Sequence, residues 1–125
     1  PNRDTVALRN IKAMALFHAG RIPDAKRVWD EALVLAPTAM GTSHPNYAVI
    51  LASAANADLA LGDLQAARRK LEPALAALRG KQGPMHPRTR EAALMLAETY
   101  DRLGMQSEAS QLRREFPEEA EPTAQ

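Results

Sequence analysis

Residues 44–62, HPNYAVILASAANADLALG, and residues 86–104, HPRTREAALMLAETYDRLG, decide the fold. Both open on His-Pro, both close on Leu-Gly, and they lie 42 residues apart. Working outward, the same step links Gly20 to Gly62 and Gly104, Ala13 to Ala55 and Ala97, and Ala25 to Ala67 and Ala109. It also carries Ala32-Leu33 onto Ala74-Leu75. Markers of several kinds held in one register identify an internal repeat, and the 125-residue length is close to three such units.

Within a unit the glycine separates two stretches of helical spacing, so each unit reads as helix, short turn, helix. In the middle unit Pro45 suits the first turn of a helix, where a missing N–H costs nothing, and Ser43 or His44 can cap it. Gly62 fits the left-handed position after a helix end, and Asp63 can cap the helix that follows. Gly80, Gly83 and Pro84 stop that second helix. The spacing predicts helices over about 4–19, 22–36, 46–61, 64–79, 88–103 and 106–116. Pro73, inside the fourth, should kink it near Arg69. Small residues at 13, 25, 55, 67, 97 and 109 let paired helices approach closely. Leu16, Val28, Trp29, Leu51, Leu59, Leu71, Leu75, Leu96, Tyr100, Leu103 and Leu112 are the candidate core.

Composition agrees with helix. Alanine makes up 25 of 125 residues while aromatics make up 4%, which disfavours a β-sandwich because strands prefer aromatic and β-branched side chains. With no cysteine there is no disulfide framework, thiolate metal site or cysteine nucleophile. No apolar run reaches the roughly 18–20 residues of a membrane span, and the first ten residues lack a signal-peptide core, so a cytoplasmic setting and no membrane partner are expected. The start at Pro1 rather than Met reads as an excised fragment. The net charge is +1, or +4 for residues 1–116, too mild and scattered for nucleic acid. Residues 117–125, PEEAEPTAQ, read as a disordered acidic tail.

On these small-residue positions, turn glycines and His-Pro pairs, residues 4–116 resemble three tetratricopeptide repeats, at about 4–41, 46–83 and 88–116. The 42-residue step is similar to the variant of kinesin light chains and many bacterial proteins. The match is looser in unit one, with Arg9 and Lys12 where a large hydrophobic is usual, and in unit three, where Phe116 replaces the alanine at 32 and 74. The resemblance implies an all-α, right-handed solenoid of three antiparallel helix pairs. It also implies a non-catalytic protein-interaction module whose first helices line a concave groove for a peptide or partner helix. Carried over by position, that groove would be lined by Asn10, Ile11, Met14 and His18, then Val49, Ala52, Ser53 and Asn56, then Glu91, Leu94, Met95, Glu98 and Arg102. Asn10 and Asn56 are the amides that could hydrogen-bond a ligand backbone. Asn56 lacks the basic neighbours that a carboxylate clamp of this family needs. The segment from His86 to Arg114, with HPRTREA followed by a helix and Gly104, also resembles repeats that follow bacterial serine/threonine kinase domains, which offers the alternative of a regulatory or oligomerising segment.

Other residues are weighed individually. His44 and His86 are equivalent but lack further ligands for zinc, so capping accounts for them better than metal. Arg68, Arg69 and Lys70 should face solvent on the convex side. Leu112 and Phe116 should be exposed at the end of the stack, where a second copy could pair. No phosphate loop, metal motif or nucleophile elbow is present, so neither catalysis nor a cofactor is expected.

Overall fold

The computed structural model describes residues 2–117; Pro1 and residues 118–125, with nearly all of the acidic tail, lie outside the described part. Six helices follow in order: α1 (Arg3–His18), α2 (Ile22–Met40), α3 (Pro45–Ala60), α4 (Leu64–Lys81), α5 (Pro87–Arg102) and α6 (Gln106–Glu115). Among the described residues there is no strand. Each helix packs on the next, and α1 meets α3 and α3 meets α5, so the chain is an all-α helical-repeat solenoid.

The helix starts have specific causes. Asn2 accepts from the Thr5 amide at 2.9 Å, and Asp63 accepts from the Ala66 amide at 3.1 Å. The Nδ1 atoms of His44 and His86 accept from the Asn46 and Arg88 amides, both at 3.1 Å, which gives these histidines a structural role. At the end of α3, Gly62 has φ 79°, and the Asp63 amide donates to the Asp58 carbonyl at 2.8 Å while the Gly62 amide donates to Leu59. This closes the helix with a left-handed residue at which a side chain would be strained.

Two helices outrun their expected ends. α2 passes Pro37 and stops at Met40, because Pro37 removes only one donor and the chain first turns left-handed at Gly41, φ 81°. α4 continues through Pro73 and Gly80 to Lys81, since Gly80 keeps helical geometry and Gly83 carries the positive φ.

Alanines 13, 25, 55, 67, 97 and 109 are all buried, as the register requires. Around them the apolar residues form two clusters. One joins α1, α2 and one side of α3 through Val6, Val28, Trp29, Ile50 and Ala54. The other joins the opposite side of α3 to α4, α5 and α6 through Ala48, Leu71, Leu75, Leu78, Leu96, Leu112 and Phe116. Leu16, Leu51, Leu59 and Leu103 are only half-buried, lying at the margins of the stack and not in its interior. Leu112 and Phe116, expected to be exposed, are 8% and 1% exposed. α6 ends after ten residues, the chain turns at Phe116, and the ring folds back under the Arg79 guanidinium, 5.5 Å from its centroid. These two residues therefore offer no apolar face at the C-terminal end of the stack, while Leu8, Ile11 and Val34 of the first helix pair are exposed.

Polar groups also tie the helices, at corresponding places one repeat apart. At the first junction Asp58 is fully buried on α3, with Lys70 of α4 at 2.6 Å and Lys26 of α2 at 3.3 Å; Lys26 also meets Asp30 at 3.4 Å. Lys70 therefore points inward and not to solvent as expected of the basic run, because a buried carboxylate needs its charge. Burial disfavours charge on Lys26, but Asp58 and Asp30 outweigh it and its pKa is raised. One repeat later Arg68, Glu72 and Tyr100 stand in the places of Lys26, Asp30 and Asp58. Here the Tyr100 hydroxyl donates to Glu72 at 2.6 Å, and Arg68 donates to the same carboxylate at 3.0 Å.

Burial and the hydrogen bond to Glu72 push the Tyr100 phenol up to about 12. The folded value lies above the unfolded value of about 10, so this contribution is present below pH ~10 and is lost as pH rises towards ~12. In a Tyr47→Phe variant the remaining phenol is expected to ionise near the upper value, followed by ultraviolet difference absorbance. A midpoint near that of free tyrosine would show that the Tyr100–Glu72 bond does not persist in solution.

Candidate binding groove

The first helices of the three pairs, α1, α3 and α5, lie side by side and bring residues far apart in sequence onto one face. Two cavities and a shallow connecting pocket run along it. One, of about 390 Å³, opens between the N-terminal halves of α1 and α3 and is lined by Arg3, Asp4, Asn10, Ile11, Met40, Asn46, Val49 and Arg88. The second, of about 230 Å³, lies between their C-terminal halves and is lined by Met14, Phe17, His18, Trp29, Ser53, Asn56, Arg88 and Glu91. The connecting pocket, with Val49, Ala52, Ser53, Arg88 and Glu91, shares residues with both. Together they form a single trough.

The trough brings together Asn10, Ile11, Met14, His18, Val49, Ala52, Ser53, Asn56 and Glu91 of the sequence-derived set. Leu94, Met95, Glu98 and Arg102 lie further along α5 and line none of the three pockets. Met95 packs on the core, and Arg102 donates to the Leu59 carbonyl at 3.3 Å and pairs with Glu98 at 3.8 Å. Asn10 is partly committed: its Oδ1 accepts from the Trp29 indole N–H at 2.8 Å, satisfying a donor that is otherwise buried.

Arg88 was not foreseen from sequence. It lines all three pockets because its backbone sits at the start of α5, directly after the His86-Pro87 cap, where a long side chain can reach across α3. Its place two residues after His-Pro, equivalent to Asn46, was the available signal. Phe17 and Trp29 add an aromatic wall, with ring centroids 5.9 Å apart, and His18 meets Phe17 edge-on at 5.7 Å.

The trough mixes chemistry in a way that suits a polypeptide. Exposed Ile11 and Met14 supply apolar surface, and Met14 can adapt its shape. Arg88 and Glu91 form no ion pair with any described residue, so neither charge is consumed inside the fold. No group of three His, Asp or Glu among the described residues could hold a metal ion.

A model of the tetratricopeptide repeat family matches residues 4–80, more than half of the chain. The chain is a tetratricopeptide repeat protein. The match spans the first two helix pairs; α5 and α6 lie beyond it and repeat the helix–turn–helix plan at the 42-residue step. Proteins of this family serve as protein–protein interaction modules. No curated protein matches the chain. Among the described residues of this tetratricopeptide protein, no helix is long and apolar enough to cross a membrane.

Proposed function

We propose that the protein binds a peptide or helical segment of a partner in the trough formed by α1, α3 and α5, by equilibrium recognition and without bond chemistry. The observation that supports this most directly is the continuity of the trough. Arg88, Val49, Ser53 and Glu91 each belong to more than one of its pockets, so one extended ligand could contact all of them. A solenoid face of this kind is preorganised: its side chains stand on packed helices, and little ordering is lost on binding. Asn56 would fix a ligand backbone, Arg88 and Glu91 would select charge, and Ile11, Met14 and Phe17 would take apolar side chains.

Peptides selected from a random library on the immobilised protein provide the test. Ser53, at the centre of the trough, is replaced by Trp to fill it, and Arg88 by Ala to remove its charge. The first change is expected to abolish binding and the second to weaken it about tenfold, or ~1.4 kcal/mol. Peptides that bind Ser53→Trp as well as the parent protein would place recognition on another face.

A further inference from the structure

A separate cavity of about 310 Å³ lies on the opposite side of the molecule, between α4 and α6. Its floor is apolar, made by Leu75 of α4, Leu96 and Tyr100 of α5, and Leu112 of α6. Three carboxylates rim it: Glu72, Glu108 and Glu115. Arg68 pairs with Glu72 and Arg79 with Glu115, both at 3.0 Å, while Glu108 has no ion pair among the described residues. The Arg68 guanidinium also acts on Glu108 through space, so the rim holds three carboxylates against the two guanidinium groups of Arg68 and Arg79, above an apolar floor.

The repeat itself shows what such a space accepts. At the first junction the residue corresponding to Leu112 is Lys70, and its side chain crosses to the residue corresponding to Tyr100, the buried Asp58, at 2.6 Å. At the second junction the leucine supplies no charge and no reach beyond α5, and the cavity stays open. We propose that this cavity takes a lysine side chain from a basic segment of a partner protein, its stem on Leu75, Leu96 and Leu112 and its ammonium against Glu108. Lysine fits because it buries an aliphatic stem while keeping its charge near a carboxylate. Within the chain Lys70 likewise lies between helices with its ammonium on a carboxylate, although that carboxylate, Asp58, holds the place of Tyr100 and Glu108 holds that of Ala66.

The test uses a blocked tri-lysine peptide, with the same peptide acetylated on its side chains as control, followed by amide NMR shifts of the whole chain. The lysine peptide is expected to move the signals of Leu75, Leu96, Tyr100 and Leu112, and the acetylated peptide to leave them in place. Glu108→Gln, which keeps the shape, should weaken binding by roughly two- to fivefold, as for a partly exposed ion pair. Ala76→Phe, at the exposed rim, keeps the charge and fills the cavity, and should remove the shifts. If that variant disturbs the fold, Gln111→Phe plugs the cavity from the facing wall. Equal shifts with the acetylated peptide, undiminished binding in the plugged variants, shifts confined to the α1–α3 trough, or no shift at all would each overturn the proposal.

Discussion

Replacing Lys26 and Lys70 together by methionine is expected to destabilise the protein by about 3–5 kcal/mol, the range for leaving a buried charge without its partners. Asp58 has no solvent exposure, and these two ammonium groups are its only ion-pair partners among the described residues. Either single variant should cost less, because one lysine remains within reach. The decisive comparison is the triple variant that also carries Asp58→Leu. Without the carboxylate nothing is stranded, and Tyr100 at the equivalent place shows that the site can house an apolar body. Its stability should return to within about 1 kcal/mol of the parent. Urea denaturation followed by circular dichroism measures all four variants against the parent. A double variant as stable as the parent would mean that water reaches Asp58 and that the network is not what ties α2, α3 and α4.

The second large effect is expected at Trp29. The side chain is 2% exposed, and Trp29→Ala should cost about 3–5 kcal/mol through lost burial and the cavity left behind. Part of that cost is polar, since Asn10 Oδ1 loses the indole donor at 2.8 Å. Trp29→Phe separates the two contributions: it keeps a ring against Phe17 and removes the N–H, at a cost of about 1 kcal/mol. As Trp29 is the only tryptophan, unfolding must again be followed by circular dichroism and not by fluorescence. Because the same ring walls the trough, Trp29→Phe should also weaken peptide binding while the fold persists. If Trp29→Ala unfolds within 1 kcal/mol of the parent, the α1–α2 core is not organised around this residue.

Much of the fold was legible because the repeat fixes positions independently of one another. The alanines, the turn glycines and the His-Pro caps each carry a backbone requirement, and a requirement of that kind shows in sequence as residue type. Helix ends were less legible, since proline constrains its neighbours only softly: Pro37 fits inside α2 once Gly41 supplies the left-handed turn. Phe116 was misjudged as an exposed end, although its register partners Ala32 and Ala74 are buried and pointed inward. Asp58 gave no sign of its burial, because an acidic residue near a helix end is ordinarily solvated. Only its alignment with Tyr100 hinted otherwise. In the trough, sequence located the helix face but not the reach of Arg88, because which long side chain spans a groove depends on how far apart the helices sit.

The two apolar clusters meet at α3, which gives Ile50 and Ala54 to one and Ala48 and Ala55 to the other. A helix with a partner on both sides cannot lose one without exposing half of its surface. Detaching a pair of helices from either side therefore exposes apolar surface of α3. Loosening α1 and α2 would bare Ile50 and Ala54, and loosening α4 would bare Ala48 and Ala55 on the far side of the same helix. Melting should accordingly be a single cooperative event, and the rigidity of the trough is a property of the whole stack.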